Sequence, residues 1–132
     1  MPRFAVRRDA ETAAFFDGTA RGEFLIVKDN LTGAVHEPRF DVSADPDRYT
    51  RVPAAGTGTV VSWAVVHERG PDGATSRVPV GIVQLDEGPW WWTSLDGFDP
   101  DDDLMGRRVR VAYETLGDEA VPYFTADTAG TA

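Results

Sequence analysis

The segment from Gly56 to Glu114 constrains this chain most, because short apolar runs and turn residues repeat along it at close intervals. GTGTVVSWAVVHER reads as a strand closed by Gly70-Pro71-Asp72-Gly73. VPVGIVQL and WWWTSL flank Asp86-Glu87-Gly88-Pro89, and two further runs flank Leu116-Gly117-Asp118. Five strands of about 5–9 residues, with a turn roughly every 10, predict a small closed barrel or a sandwich. A small barrel fills its interior with side chains, so function is expected on a rim or an outer face.

The 132 residues fit one domain, and a hydrophobic content of 42% is enough for a core. No apolar run approaches the roughly 18–20 residues of a membrane helix. The start, MPRFAVRRDAET, has basic residues but no apolar stretch of the signal-peptide kind, so a cytoplasmic address is expected. With no cysteine, disulfides, thiolate metal ligands and a cysteine nucleophile are excluded. A net charge of −9 argues against a protein that tracks a phosphate backbone. Local basic patches remain at Arg7 and Arg8 and at Arg107, Arg108 and Arg110. Strand alternation sends Arg108 and Arg110 to solvent while Val109, Val111 and Tyr113 turn inward.

Upstream, Asp9–Arg21 reads as a short helix with Asp9 as N-cap, Thr12 at the third position and Gly22 as the C-terminal stop. Ala13, Phe16 and Ala20, with Ala14 and Phe15 alongside, form an apolar stripe for packing. Gly18 weakens the helix by about 1 kcal/mol relative to alanine. Glu23–Lys28 and Ala34–Glu37 read as a hairpin whose turn takes a positive φ at Gly33. Arg39–Ala55 reads as an irregular connector. The predicted organisation is an N-terminal helix over 1–22, a hairpin and connector over 23–52, a barrel over 53–125 and a disordered tail over 126–132.

Phe15-Phe16, Gly33 with Pro38-Arg39, the run Gly56–His67, Val83–Pro89 and Met105–Val109 follow one another in a recognisable order. Together they resemble the OB-fold family of acyl-CoA-associated proteins with an N-terminal rubredoxin-like zinc ribbon (domain of unknown function thirty-five). The resemblance spans about Ala10 to Phe124 and implies a mostly β chain. It implies a five-stranded OB-fold barrel preceded by a short helix and a zinc-ribbon-like hairpin. In that family the hairpin carries C-x-x-C, which falls here on Asp29 and Thr32. A second C-x-x-C follows the Pro-Arg pair, within Asp41–Pro46, where this chain again has no cysteine. Structural zinc needs four sulfur or nitrogen donors, so no zinc is expected. The hairpin is expected to rest on Phe24, Ile26 and Val35 and to be mobile, with His36 a surface histidine.

Family members are similar in role to accessory subunits of thiolase-like enzymes, and others sit beside hotdog-fold hydratases. The resemblance therefore implies a non-catalytic subunit of a heteromeric acyl-CoA or polyketide enzyme that helps complete an acyl-thioester channel. No tightly bound cofactor is expected, and contact with a coenzyme A thioester is left open.

The residues themselves offer little chemistry. Ser62 and His67, five apart on one strand, point to opposite faces, so a triad with Asp86 has poor geometry. Asp86 and Glu87 are expected to be solvated, with Asp86 capping its own turn. The acidic run Asp99–Asp103 lacks the glycine and the bidentate glutamate of a calcium loop. Trp90-Trp91-Trp92 is unusual: Trp90 and Trp92 share one strand face and Trp91 takes the other. Either the helix covers Trp90 and Trp92 over a core Trp91, or one face is open to a partner. The candidate partner or ligand surface comprises Phe15, Phe16, Trp63, His67, Trp90, Trp92, Arg107 and Arg108, with no catalytic residue. Alternatives are a small enzyme acting on a thioester or polyketide through His67, Asp86 and Glu87, a single-stranded nucleic-acid platform on Trp90 and Trp92, and a stand-alone ligand-binding module.

Overall fold

The protein is described by a computed structural model covering residues 8–10 and 12–127. Arg7 and the tail beyond Asp127 lie outside the described residues. The helix α1, Ala13–Ala20, is shorter than expected, and its N-cap is Thr12 rather than Asp9. Asp9 and Thr12 instead close the turn before it reciprocally: each backbone N–H donates to the other's side chain at 2.9 Å. At the far end Gly22 sits at φ +75°, and the Gly22 and Glu23 N–H groups donate to Thr19 and Gly18 carbonyls at 2.9 Å. This is the glycine stop read from the sequence, in Schellman form. Gly18 has a packing role: a Cβ there would lie 2.6 Å from Leu25 Cγ, so glycine lets the helix settle on the strand that follows.

That strand, β1 (Leu25–Asp29), pairs antiparallel with β2 (Val35–His36) and with β3 (Tyr49–Pro53). Gly33 takes φ +77° in the β1–β2 turn, as expected. The region read as an irregular connector therefore contains a strand. Five register pairs, from Leu25–Pro53 to Asp29–Tyr49, hold β3 in the small sheet, preceded by a 3-10 turn at Pro46–Arg48.

The second sheet contains β4 (Thr57–Arg69), β5 (Thr75–Leu85), β6 (Trp90–Ser94), β7 (Arg108–Leu116) and β8 (Glu119–Ala126) in the order β6-β5-β4-β7-β8. A parallel bridge between Leu95 and Phe124, with Asp96 N–H donating to the Phe124 carbonyl at 3.0 Å, joins the two outer strands. Four antiparallel pairings and this one parallel contact close a five-stranded OB-fold barrel. β4 and β5 run to 13 and 11 residues, longer than a strand of this barrel needs, and extend as an arm. Ala126, read as the start of the tail, ends β8.

A bulge between Val60 and Ser62 resets the alternation of β4. Val60 points into the core on one side of it and Trp63 packs against the core on the other, an odd spacing that unbroken alternation forbids. Opposite Trp63 the chain carries Gly81, whose Cβ would strike the Ser62 carbonyl and reach 3.0 Å from Leu95 Cδ1. Glycine is what lets the two strands approach beneath the Trp63 indole.

One core joins both sheets. Phe24, just ahead of β1, and Ile26 within it are buried in the same cluster as Val60, Val83, Leu95 and Phe124 of the barrel. Phe24 sits edge-on to Phe15, Trp91 and Phe124, with ring centroids 5.2–5.9 Å apart. The N-terminal segment is tied in by Arg8, which donates to both carboxylate oxygens of Glu119 at 2.6 and 2.9 Å and also pairs with Asp17.

Candidate functional site

The expected site residues divide into those spent on the fold and those left for contact. Phe16 is buried, Phe15 packs on Phe24 and Trp91, and Trp63 packs against the core. Phe16 is thus spent on the fold, while Phe15 and Trp63 give part of their apolar area to the barrel and remain half-buried. Arg108 points to solvent as alternation requires, yet it is not free. Its guanidinium donates to both Asp86 oxygens at 2.7 and 2.9 Å and to Thr59 Oγ1 at 3.0 Å. Arg107 lies over the Phe98 ring, 5.4 Å from its centroid. His67 is exposed on the arm opposite Arg77, which pairs with Asp101 of the acidic loop.

The turn at Asp86-Glu87 also needs correcting, since neither carboxylate is simply solvated. Asp86 takes Arg108 and the Thr57 hydroxyl, and Glu87 Oε2 accepts the Ala55 N–H at 2.8 Å. The turn thereby holds three strand ends at the barrel rim. Hydrogen bonds from Arg108 and then Thr57 lower the Asp86 carboxyl to about 2 from 3.8. A group depressed in the fold adds stability that is complete above its unfolded value and is lost as pH falls through its folded one. The thermal midpoint of the protein should therefore drop between pH 4 and 2, and Arg108→Gln should flatten the part of that drop belonging to Asp86. An unchanged slope would remove the pair from the acid response.

Asp29 occupies the position that the resemblance gives to the first cysteine pair. It is buried, with its oxygens accepting Arg48 Nε at 3.0 Å, Arg48 Nη2 at 2.7 Å and the Leu31 N–H at 2.9 Å. The guanidinium holds this carboxyl far below the usual carboxylate range. A cation thus already lies against the carboxylate, and it is an arginine. Among the described residues no group of three or more His, Asp or Glu side chains could hold a metal. These residues do not fit zinc. The hairpin expected to stand on Phe24, Ile26 and Val35 alone is joined to the chain ahead of β3 by this ion pair. His36 stacks on Phe40 with centroids 3.9 Å apart, and Tyr49 meets Phe40 edge-on at 5.2 Å.

The triple tryptophan resolves in favour of the open face. Trp91 turns inward onto Phe15 and Phe24, while Trp90 and Trp92 are 58% and 65% exposed. The helix covers Trp91 and leaves its neighbours bare. Across the sheet Trp90 lies opposite Gln84, Trp92 opposite Ile82 and Ser94 opposite Val80, with Ser62 and Ala64 next in line on β4. Paired residues share a sheet face, so these eight positions form one surface without a charged side chain. On a chain with 27% charged residues, such a face is a candidate contact surface.

A barrel with a bare tryptophan face, preceded by a hairpin whose Asp29 carboxylate is paired with Arg48, defines a module of the OB class. A family described as the C-terminal OB-fold domain of ChsH2 matches residues 51–114, and the barrel belongs to that DUF35 OB-fold family. A solved structure of the Ltp2–ChsH2 (DUF35) aldolase superposes with a TM-score of 0.76 at 22% identity, covering 92% of this chain and 98% of that one. The fold thus extends beyond the matched domain to the helix and the small sheet. No curated protein matches the chain. Among the described residues no helix is long and apolar enough to cross a membrane.

Proposed function

We propose that this chain is a non-catalytic accessory subunit of a thiolase-like enzyme in acyl-CoA or polyketide metabolism. In this reading it docks through the Trp90–Trp92 face, stabilises its partner and completes the wall of an acyl-thioester channel. The complex is cytoplasmic. The helix, the hairpin part over 23–52 and the barrel over 53–125 act as one docking unit, and a coenzyme A thioester is held mainly by the partner. The observation that carries the reading is the uncharged face centred on Trp90 and Trp92, built on the fold of a subunit from a DUF35 aldolase. The candidate nucleophile and base among the described residues stand apart, which supports it. Ser62 and His67 sit on opposite faces of β4, and the Asp86 carboxylate is held by Arg108 and Thr57.

Co-expression with each protein encoded beside its gene tests the proposal. The expected result is co-elution as a heteromer whose acyl-thioester turnover exceeds that of the partner alone. A chain that elutes alone and leaves the neighbour's solubility and turnover unchanged overturns it. Turnover by the isolated chain, lost in His67→Ala, would replace it with the small-enzyme reading.

A further inference from the structure

A cleft of about 570 Å³ lies between the start of the helix and the segment after β2, far in sequence from the tryptophan face. Its walls include Phe15, Phe40, Val42 and Pro38, and two guanidinium groups, Arg39 and Arg51, line it. Neither arginine side chain makes a hydrogen bond, ion pair or ring contact among the described residues, unlike Arg8, Arg48, Arg77 and Arg108. The carboxylates that share the cleft are engaged locally. Asp9 accepts the Thr12 N–H at 2.9 Å and Asp41 accepts the Ser43 N–H at 2.9 Å, each closing its own turn.

Two guanidiniums without a side-chain partner among the described residues thus share one cleft in a chain of net charge −9. Among the described residues no carboxylate pairs with either guanidinium, although Asp9 and Asp41 line the same cleft. Guanidinium groups bind phosphate and carboxylate through paired N–H donors. The aromatic and aliphatic walls would cover an apolar body, and the volume falls within the range of small-molecule sites. We propose that this cleft binds a small organic anion, with a phosphate or carboxylate between Arg39 and Arg51 and an apolar body against Phe15 and Phe40. The site is independent of the docking reading. Phe15 forms its wall and also packs on Trp91, whereas Trp90 and Trp92 point the opposite way.

The test uses the full chain with 1-naphthyl phosphate, 1-naphthoate and, as a neutral control, 1-naphthalenemethanol, measured by titration calorimetry and by amide chemical-shift mapping. Saturable binding of at least one anion is expected, with shifts around Phe15 and Arg39–Ser43, and the tighter of the two assigns the headgroup. Arg39→Ala and Arg51→Gln should each weaken it about tenfold or more, the loss expected for one charge-assisted hydrogen bond. Arg110→Ala, an exposed arginine outside the cleft, should leave it unchanged. Circular dichroism of each variant checks folding, and because Arg39 is exposed its replacement alone suffices if Arg51→Gln unfolds. The proposal is overturned if neither anion saturates, if the neutral alcohol binds as well, or if Arg110→Ala weakens binding as much as Arg39→Ala. None of these outcomes bears on co-elution with a partner, so this site and the docking reading fail separately.

Discussion

Phe24→Ala should lower stability by about 3–5 kcal/mol, the range for a truncated buried aromatic, and should do so in one cooperative step. Phe24 is 1% exposed and is the only residue whose ring meets α1 at Phe15, β6 at Trp91 and β8 at Phe124 among the described aromatic pairs. Removing it opens a cavity where the small sheet, the helix and the barrel meet, and three edge-on ring contacts go with it. If the small sheet were a separate module, its loss would leave the barrel intact, and chemical denaturation would split into two transitions. The shared cluster argues for one. Denaturant melts followed by far-ultraviolet circular dichroism and by tryptophan fluorescence should coincide in both wild type and variant. Separate midpoints for the two probes, or a loss under about 1 kcal/mol, would mean that the two sheets fold independently.

The barrel was legible because its signals are local. Alternation and turn glycines act over a few residues, and Trp90, Trp92, Arg108 and Val109 all lie on the faces that alternation assigns them. The small sheet was half legible for the converse reason. β1 and β2 are joined by a five-residue turn containing Gly33, whereas β3 is a five-residue strand that pairs with β1 across some twenty intervening residues. Its Tyr-Thr-Arg-Val-Pro run carries little apolar alternation of its own, so only the partner strand makes it a strand. The bulge at Val61 leaves no mark either, because an extra residue alters pairing and not composition.

Long-range polar partners were equally hidden. Nothing near Arg108 names Asp86, and nothing near Asp29 names Arg48; each pair meets only when distant strands align. The arginine cleft had one sequence signal, the Pro38-Arg39 pair after the hairpin, which the resemblance used as a landmark rather than as a binding group. Arg51 reads as an ordinary connector arginine until β3 forms and places it beside Phe15 and Phe40.

Replacing Trp90 and Trp92 together by alanine should separate partnership from stability, in contrast to Phe24. These indoles share the composition of the core but not its environment: both are more than half exposed, and among the described residues neither ring pairs with another ring. Substitutions at exposed positions usually change stability by no more than about 0.5 kcal/mol, so the thermal midpoint should scarcely move. Under the docking reading the same two side chains are the anchors of an interface, and truncating a central tryptophan there costs about 2–4 kcal/mol. That is a loss of about 30-fold to several hundred-fold in affinity for the partner from either residue, enough to abolish co-elution when both are changed. Trp91→Ala should behave oppositely, destabilising the chain through Phe15 and Phe24 while leaving the outer face in place. Each measured Kd, set against the variant's own melting curve, discriminates the two roles. A double variant that still binds its partner as wild type would show that the uncharged face contacts nothing in the complex.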